Sequence, residues 1–256
     1  MKVVILAGGL GTRISEESHL RPKPMIEIGG MPILWHIMKL YSHYGFNEFV
    51  ICCGYKQTVI KDFFANYYLY CSDVTIDLAD NSMQIHSNVA EPWKVTLVNT
   101  GLNTMTGGRV KRIRDYLQND TFMLTYGDGV SNVDIRKLYE YHKQSNKLAT
   151  MTTYQPRNRY GVLDIDENNT ISSFREKAQG DGDWINAGFM VMEPAVIDLI
   201  ADDDTILERE PLETLAHKGQ LQAYRHSGFW QCMDTLRDKQ LLDKLWESGE
   251  APWKLW

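Results

Sequence analysis

At 256 residues, 43% hydrophobic and 23% charged, the chain can bury a sizeable core and has the composition of an ordinary globular protein. Its formal net charge of −6 gives no basic stripe for nucleic acid or an anionic membrane, so any polyanion must be held at a local site. No apolar run approaches the roughly 18 residues of a membrane helix, and the N-terminal run is too short for a signal peptide, so a cytoplasmic location without membrane association is expected. Of the four cysteines, Cys52 and Cys53 are adjacent and should face opposite sides of a strand, while Cys71 and Cys232 stand alone. No C-x-x-C pair occurs, and neither a zinc site nor a disulfide framework is expected.

Val3 to Ala7 is apolar at every position, the signature of a strand buried on both faces. It runs into Gly8-Gly9-Leu10-Gly11-Thr12-Arg13, then a polar stretch to Arg21-Pro-Lys23-Pro-Met25. Pro32 opens a helix with apolar Ile33, Leu34, Ile37, Met38, Leu40 and Tyr41, which Gly45 stops. Phe49–Cys53 is a second buried strand, followed by a helix through Phe64. The β, α, β, α order predicts an α/β fold with a doubly wound, mostly parallel sheet. Residues 66–93 interrupt this rhythm with an aromatic run and a weakly alternating hairpin, either a satellite cluster on its own domain or a subunit contact, the contact being favoured because Tyr and Trp are enriched at interfaces. Strand Val95–Val98 leads through Gly101-Leu-Asn-Thr104-Met-Thr-Gly-Gly108-Arg109 into one helix carrying Val110, Ile113 and Leu117. Strand Phe122–Tyr126 ends on Gly127-Asp128-Gly129, and helix 134–146 and strand 148–154 complete the main layer. Strands at 162–165, 171–174 and 185–192 then predict a smaller mixed or antiparallel region. Helices near 195–201 and 208–218, a strand at 221–226 and an amphipathic C-terminal helix follow. With no repeat or linker, one domain over 1–256 is expected, 1–150 forming one part and 151–240 the other.

Gly8, Gly9 and Gly11 allow backbone N–H groups to converge on an anion, and Arg13 and Lys23 bracket them with charge suited to a polyphosphate. The loop matches neither the P-loop nor the dinucleotide fingerprint, and on pattern alone a tight turn explains it as well. Asp128, at the carboxyl end of a central strand, is placed as a Mg²⁺ ligand, or else makes an Asx turn. Asp234 is a second candidate ligand, or caps the following helix. Arg109 joins a helix N-terminus at an anion site, or is a surface arginine. Glu176, Lys177 and Asn186 offer a carboxylate, a cation and an amide to a sugar phosphate, or are surface groups. None of the seven histidines pairs with Ser or Cys as in a hydrolase.

Together, Leu6-Ala7-Gly-Gly-Leu-Gly-Thr-Arg13, Arg21-Pro-Lys-Pro-Met25, Gly127-Asp-Gly129, Phe174-Arg-Glu-Lys177, Asn186-Ala-Gly188 and Met233-Asp234 resemble the ordered motifs of the sugar-1-phosphate nucleotidylyltransferases. The resemblance spans residues 1 to about 240. The 101–109 segment and the Gly228-Phe-Trp-Gln-Cys-Met-Asp234 ending are similar to the glucose-1-phosphate cytidylyltransferases within that family. This implies a Rossmann-like sheet with a sugar-binding part at 151–240, Mg²⁺, and the substrates CTP and α-D-glucose 1-phosphate, giving CDP-glucose and pyrophosphate. It also implies a homo-oligomer, a hexamer, serving bacterial O-antigen (lipopolysaccharide) synthesis. Arg13, Lys23 and Asp128 would be catalytic. Leu6, Ala7, Gly8, Gly9, Leu10, Gly11, Thr12, Arg13, Lys23, Thr104, Gly108, Arg109 and Asp128 would line the nucleotide. Gly161, Glu176, Lys177 and Asn186 would hold the sugar phosphate, and Asp128 and Asp234 the metal. Two alternatives remain at this point: the same reaction with UTP or dTTP, and a non-catalytic sugar-nucleotide-binding subunit. The second is disfavoured because Arg13, Lys23, Asp128 and Asp234 are all present.

Overall fold

The apolar runs assemble into one seven-stranded sheet: β1 (Lys2–Ala7), β2 (Glu48–Cys53), β3 (Lys94–Asn99), β4 (Phe122–Tyr126), β5 (Ala149–Tyr154), β6 (Ile185–Met192) and β7 (Leu221–His226), in the spatial order β7-β5-β6-β4-β1-β2-β3. The computed structural model describes residues 1–11, 14, 19–87, 90–156, 162–165, 171–175 and 183–256. β1 runs parallel to β2 and β4, β2 to β3, and β5 to β7. β6 runs against both of its neighbours, β4 and β5. It is antiparallel, as expected from its pattern, but it sits inside the main sheet and not in a separate region. Its interior residues are buried because helices cover both faces there.

Two apolar layers flank the sheet. Val3, Ile5 and Ala7 of β1 join one layer with α1 (Ile33–His43) and α4 (Ile135–Ser145), while Val4 and Leu6 join the other with α3 (Thr106–Arg112) and α5 (Glu210–His217). Burial on both faces is why β1 shows no polar alternation. Cys53 and Cys52 divide between the same two layers, as their adjacency requires. α2 (Gln57–Ala65) follows β2, and α6 (Leu236–Glu247) closes the first layer through Leu242. The helix expected across 106–117 breaks at Ile113 into α3 and a single turn, Arg114–Leu117. Val110, Ile113 and Leu117 are nonetheless all buried. The predicted helix near 195–201 is a 3-10 segment, Pro194–Leu199.

β1 is followed in sequence by β2 on one side, whereas β4 lies on its other side. The chain order reverses there, and the carboxyl ends of β1 and β4 open the crevice where ligands bind in sheets of this kind. The 66–93 segment contributes a turn of helix (Tyr67–Tyr70) and an antiparallel hairpin, Val74–Asp77 with Ser82–Ile85, and its Tyr67 and Trp93 pack against Phe63 and Phe49.

Candidate active site

β1 delivers Gly8, Gly9 and Gly11 to one wall of a cleft of about 360 Å³, and β4 delivers Tyr126, Gly127 and Asp128 to another. The structure requires glycine at two of these three positions. A Cβ on Gly8 would overlap the Arg109 guanidinium, Gly11 adopts a left-handed φ of 65°, and the Gly9 Cβ position faces open space. Leu10 is 54% exposed and is not part of the cleft wall.

Lys23 enters from a 3-10 turn fixed by its neighbours Pro22 and Pro24, whose rings set the backbone on either side. Its Nζ lies 2.6 Å from Asp128 Oδ2 and 2.6 Å from Asp234 Oδ1. Burial works against the ammonium, but the Asp128 charge, then Cys232 and hydrogen bonds to both aspartates, outweigh it and raise the Lys23 pKa above its ordinary value. The two carboxylates come from distant segments that a two-stranded ladder joins. Gly129–Ser131 pairs with Trp230–Cys232, Gly129 opposite Cys232, and the Met233 N–H donates to the Asp128 carbonyl at 2.8 Å. Capping of α6 falls to Thr235, in a reciprocal box with Asp238. The Asp234 carboxylate is thereby directed to Lys23 and not to the helix end.

Asp128, Asp234 and Cys232 bring one ligand atom each within 4.8 Å of one another. Burial, then the Asp128 charge, pushes the Cys232 thiol far up, so the donors at working pH are two hard carboxylates. The ammonium held between them shows that the pair is arranged around a cation. Such a set suits a hard divalent ion that completes its shell with water and phosphate oxygens.

Thr104 and Arg109 also line the cleft. The arginine, only 4% exposed, is occupied by the protein itself. It donates to the carbonyls of Gly8 (3.0 Å), Gly101 (2.8 Å), Leu102 (3.2 Å) and Cys53 (3.4 Å), and to Thr100 Oγ1 (2.8 Å). It joins the glycine loop to the 100–102 loop, which neither the surface reading nor the anion reading anticipated. Gly108 is likewise turned elsewhere. A Cβ there would stand 2.6 Å from the Asp203 Cα, and one on Gly107 would stand 2.7 Å from the Thr205 carbonyl oxygen. These glycines let α3 rest on the 203–205 loop, which gives Gly108 a packing role.

A second hollow of about 320 Å³ shares Tyr126 and Asp128 with the first and contains Asn186, Glu208 and Trp230. A register shift between β5 and β6 places Asn186 there. Met151 pairs with Met190 but Thr153 with Asn186, and the intervening Gly188 takes a φ of 73°. Asn186 Oδ1 accepts from the Gly188 N–H at 2.8 Å, and its Nδ2 donates to the Tyr126 hydroxyl at 3.0 Å. Thr12, Arg13, Gly161, Glu176 and Lys177 lie outside the described residues. Tyr126 and Glu208 belong to the site but carry no motif of their own, and only the fold brings them together.

A model of the nucleotidyl transferase family matches residues 2–231. The chain belongs to that family. It is similar to the glucose-1-phosphate cytidylyltransferases of Salmonella typhi and Salmonella typhimurium, each 58% identical over 257 aligned residues and covered over 100% of both chains. Among solved structures it is similar to HddC from Yersinia pseudotuberculosis, with a TM-score of 0.68 and 25% identity over 96% of this chain and 99% of that one. In this chain the glycine loop and the carboxylate pair meet at the sheet's reversal point. No helix among the described residues is long and apolar enough to cross a membrane.

Proposed function

We infer that this chain transfers the cytidylyl group of CTP to α-D-glucose 1-phosphate, giving CDP-glucose and pyrophosphate. The observation that carries the reading is the convergence of Lys23, Asp128 and Asp234 beside the glycine loop, with a second polar hollow sharing the Asp128 wall. The likeness to cytidylyltransferases along the whole chain supports CTP over UTP or dTTP.

The sugar phosphate is already an anion, so attack of its oxygen on the α-phosphorus needs no general base. Positioning and charge neutralisation carry the catalysis. In this proposal Lys23 neutralises the α-phosphate, exchanging its carboxylate partners for phosphate oxygens, and Arg13 holds the departing pyrophosphate. Gly8, Gly9, Gly11 and Thr104 shape the nucleotide wall, while Asn186, with Gly161, Glu176 and Lys177, holds the sugar phosphate. Mg²⁺, held by Asp128 and Asp234, would supply further neutralisation of the triphosphate oxygens.

The test supplies each of CTP, UTP, dTTP, ATP and GTP with glucose 1-phosphate and Mg²⁺ and measures pyrophosphate release. Release with CTP is expected, with Asp128→Asn at least about a thousand-fold slower. Release only with another nucleotide would refute the base assignment, and no release with any would refute the activity.

The proposal extends to a homo-hexamer joined through residues 66–93, in the cytoplasm, serving O-antigen synthesis. Its support is a hairpin whose apolar side chains are uncovered in the single chain: Leu78 is 84% exposed and Ile76 54%, beside Tyr70 at 71%. Light scattering should give six times the chain mass, and Ile76→Asp with Leu78→Asp should lower it. A monomer in the wild type would overturn the contact.

A further inference from the structure

A hydrogen-bonded relay crosses the wall between the two hollows, and its central member is Glu208, a half-buried residue just before α5. One carboxylate oxygen, Oε1, accepts from the Tyr126 hydroxyl at 2.6 Å. The other, Oε2, accepts from Thr106 Oγ1 at 2.6 Å. Thr106, the first residue of α3, belongs to the cleft wall beside Thr104, and its Oγ1 in turn accepts from the Leu207 N–H at 2.9 Å. Tyr126 closes β4, lies two residues before Asp128 and lines both hollows. Three segments distant in sequence are thus tied at one carboxylate.

The direction of each bond is fixed by chemistry. An ionised carboxylate only accepts, so both hydroxyls must point their protons at Glu208. The Tyr126 phenol carries an O–H and lies 2.6 Å from a carboxylate oxygen, so it is the donor of that bond. Having donated its proton, the Tyr126 oxygen has lone pairs alone to offer Asn186, which must present an N–H to it. The Gly188 N–H takes the Asn186 Oδ1, so the amide cannot turn over without losing both bonds. What remains for a ligand is the second amide N–H of Asn186, a donor suited to a hydroxyl or phosphate oxygen.

We propose that Glu208 is a positioning residue for the sugar phosphate: through Tyr126 it fixes Asn186 as a hydrogen-bond donor, and through Thr106 it holds the nucleotide wall at a set distance from that donor. The inference rests on the sugar-phosphate role given to the second hollow. Glu208 touches neither substrate in this account. Its effect travels through two hydroxyls, so removing either arm should reproduce part of it.

The variants Glu208→Gln, Glu208→Asp, Tyr126→Phe and Glu208→Gln/Tyr126→Phe are compared with the wild type in steady-state kinetics, using whichever nucleotide the wild type turns over. Glutamine keeps the shape but offers an N–H to one hydroxyl, forcing one arm of the relay to reverse or break. The expected result is a rise of about ten-fold in KM for glucose 1-phosphate, the scale of one misdirected hydrogen bond, with kcat altered less than three-fold. Tyr126→Phe, which cuts one of the two arms, should give part of that rise, and the double variant should be no worse than Glu208→Gln, because both changes cut the same path. Glu208→Asp, which keeps the charge on a shorter stem, should restore part of the affinity. A wild-type KM in Glu208→Gln, or a fall in kcat and melting temperature with both KM values unchanged, would overturn the positioning role. So would additive effects in the double variant. If Glu208→Gln does not fold, Tyr126→Phe alone decides the question by the same KM-against-kcat criterion. Inactivity of the wild type with every nucleotide would instead refute the proposed function, and this inference with it.

Discussion

The Arg109 guanidinium lies among four backbone carbonyls and one hydroxyl, drawn from the glycine loop, the end of β2 and the 100–102 loop. A planar fork suits this task, since its donors spread in several directions at once, whereas a lysine offers three from a single point. The neighbouring glycines answer to the same side chain: a Cβ on Gly54 would stand 2.5 Å from Arg109 Nη1. Leucine at 109 would fill part of the space and leave the acceptors orphaned at about 1–3 kcal/mol for each one that water cannot reach. Arg109→Leu should therefore lose on the order of 4 kcal/mol in urea unfolding, and Arg109→Lys roughly half of that. An unchanged urea midpoint for Arg109→Leu would show that the clamp adds nothing to stability.

Gly107 and Gly108 show, at the level of the element, what a sequence pattern conveys and what it hides. A glycine pair entering a helix beside an arginine has the form of an anion site, and nothing nearby in sequence contradicts it. The partner that demands glycine is the backbone of Asp203 and Thr205, almost a hundred residues on, reached only when α3 docks on that loop. The strands were legible because burial on both faces leaves an unbroken apolar run, a purely local signal. Lys23, Asp128 and Asp234 were legible because each sits in a recurrent motif. Glu208 and Tyr126 were not, since their roles arise from hydrogen bonds across 82 residues of sequence. The docking of α3 also reverses a common expectation. Alanine in place of a helical glycine usually gains about 1 kcal/mol. At 108 the new methyl would stand 2.6 Å from the Asp203 carbonyl oxygen, backbone that cannot rotate away. Overpacking of this kind costs about 1–3 kcal/mol, so Gly108→Ala should lower the melting temperature. A higher melting temperature would mean that the 203–205 loop yields freely.

Across the whole molecule, residues 246–256 return to α1 near the start of the chain and close one layer of the core there. Trp253 is fully buried, stacked on Phe229 and Trp246, and its Nε1 donates to His36 Nδ1 at 3.3 Å. His36 Nε2 then donates to the Ile28 carbonyl at 2.9 Å, so the neutral ring uses both nitrogens, one as acceptor and one as donor. Trp246 meets the same ring edge-on at 4.6 Å. Protonation would replace the acceptor with a second donor facing the Trp253 N–H. Burial, only partly offset by hydrogen bonds to the Ile28 and Met31 backbone, lowers the His36 pKa to about 4. The folded value lies below the ordinary 6.5, so the unfolded chain binds the extra proton first as pH falls. The stability contribution of neutral His36 is therefore complete above pH 6.5, declines as pH falls towards 4, and levels off below it. The full loss is about 3 kcal/mol. Carboxylates titrate in the same range, but in the difference between wild type and His36→Gln their effects cancel. That difference, measured by urea unfolding, should favour the wild type at pH 7 and shrink by about 3 kcal/mol by pH 4. A difference that stays constant across this range would show that the ring keeps an ordinary pKa and that the two ends of the chain are joined by packing alone.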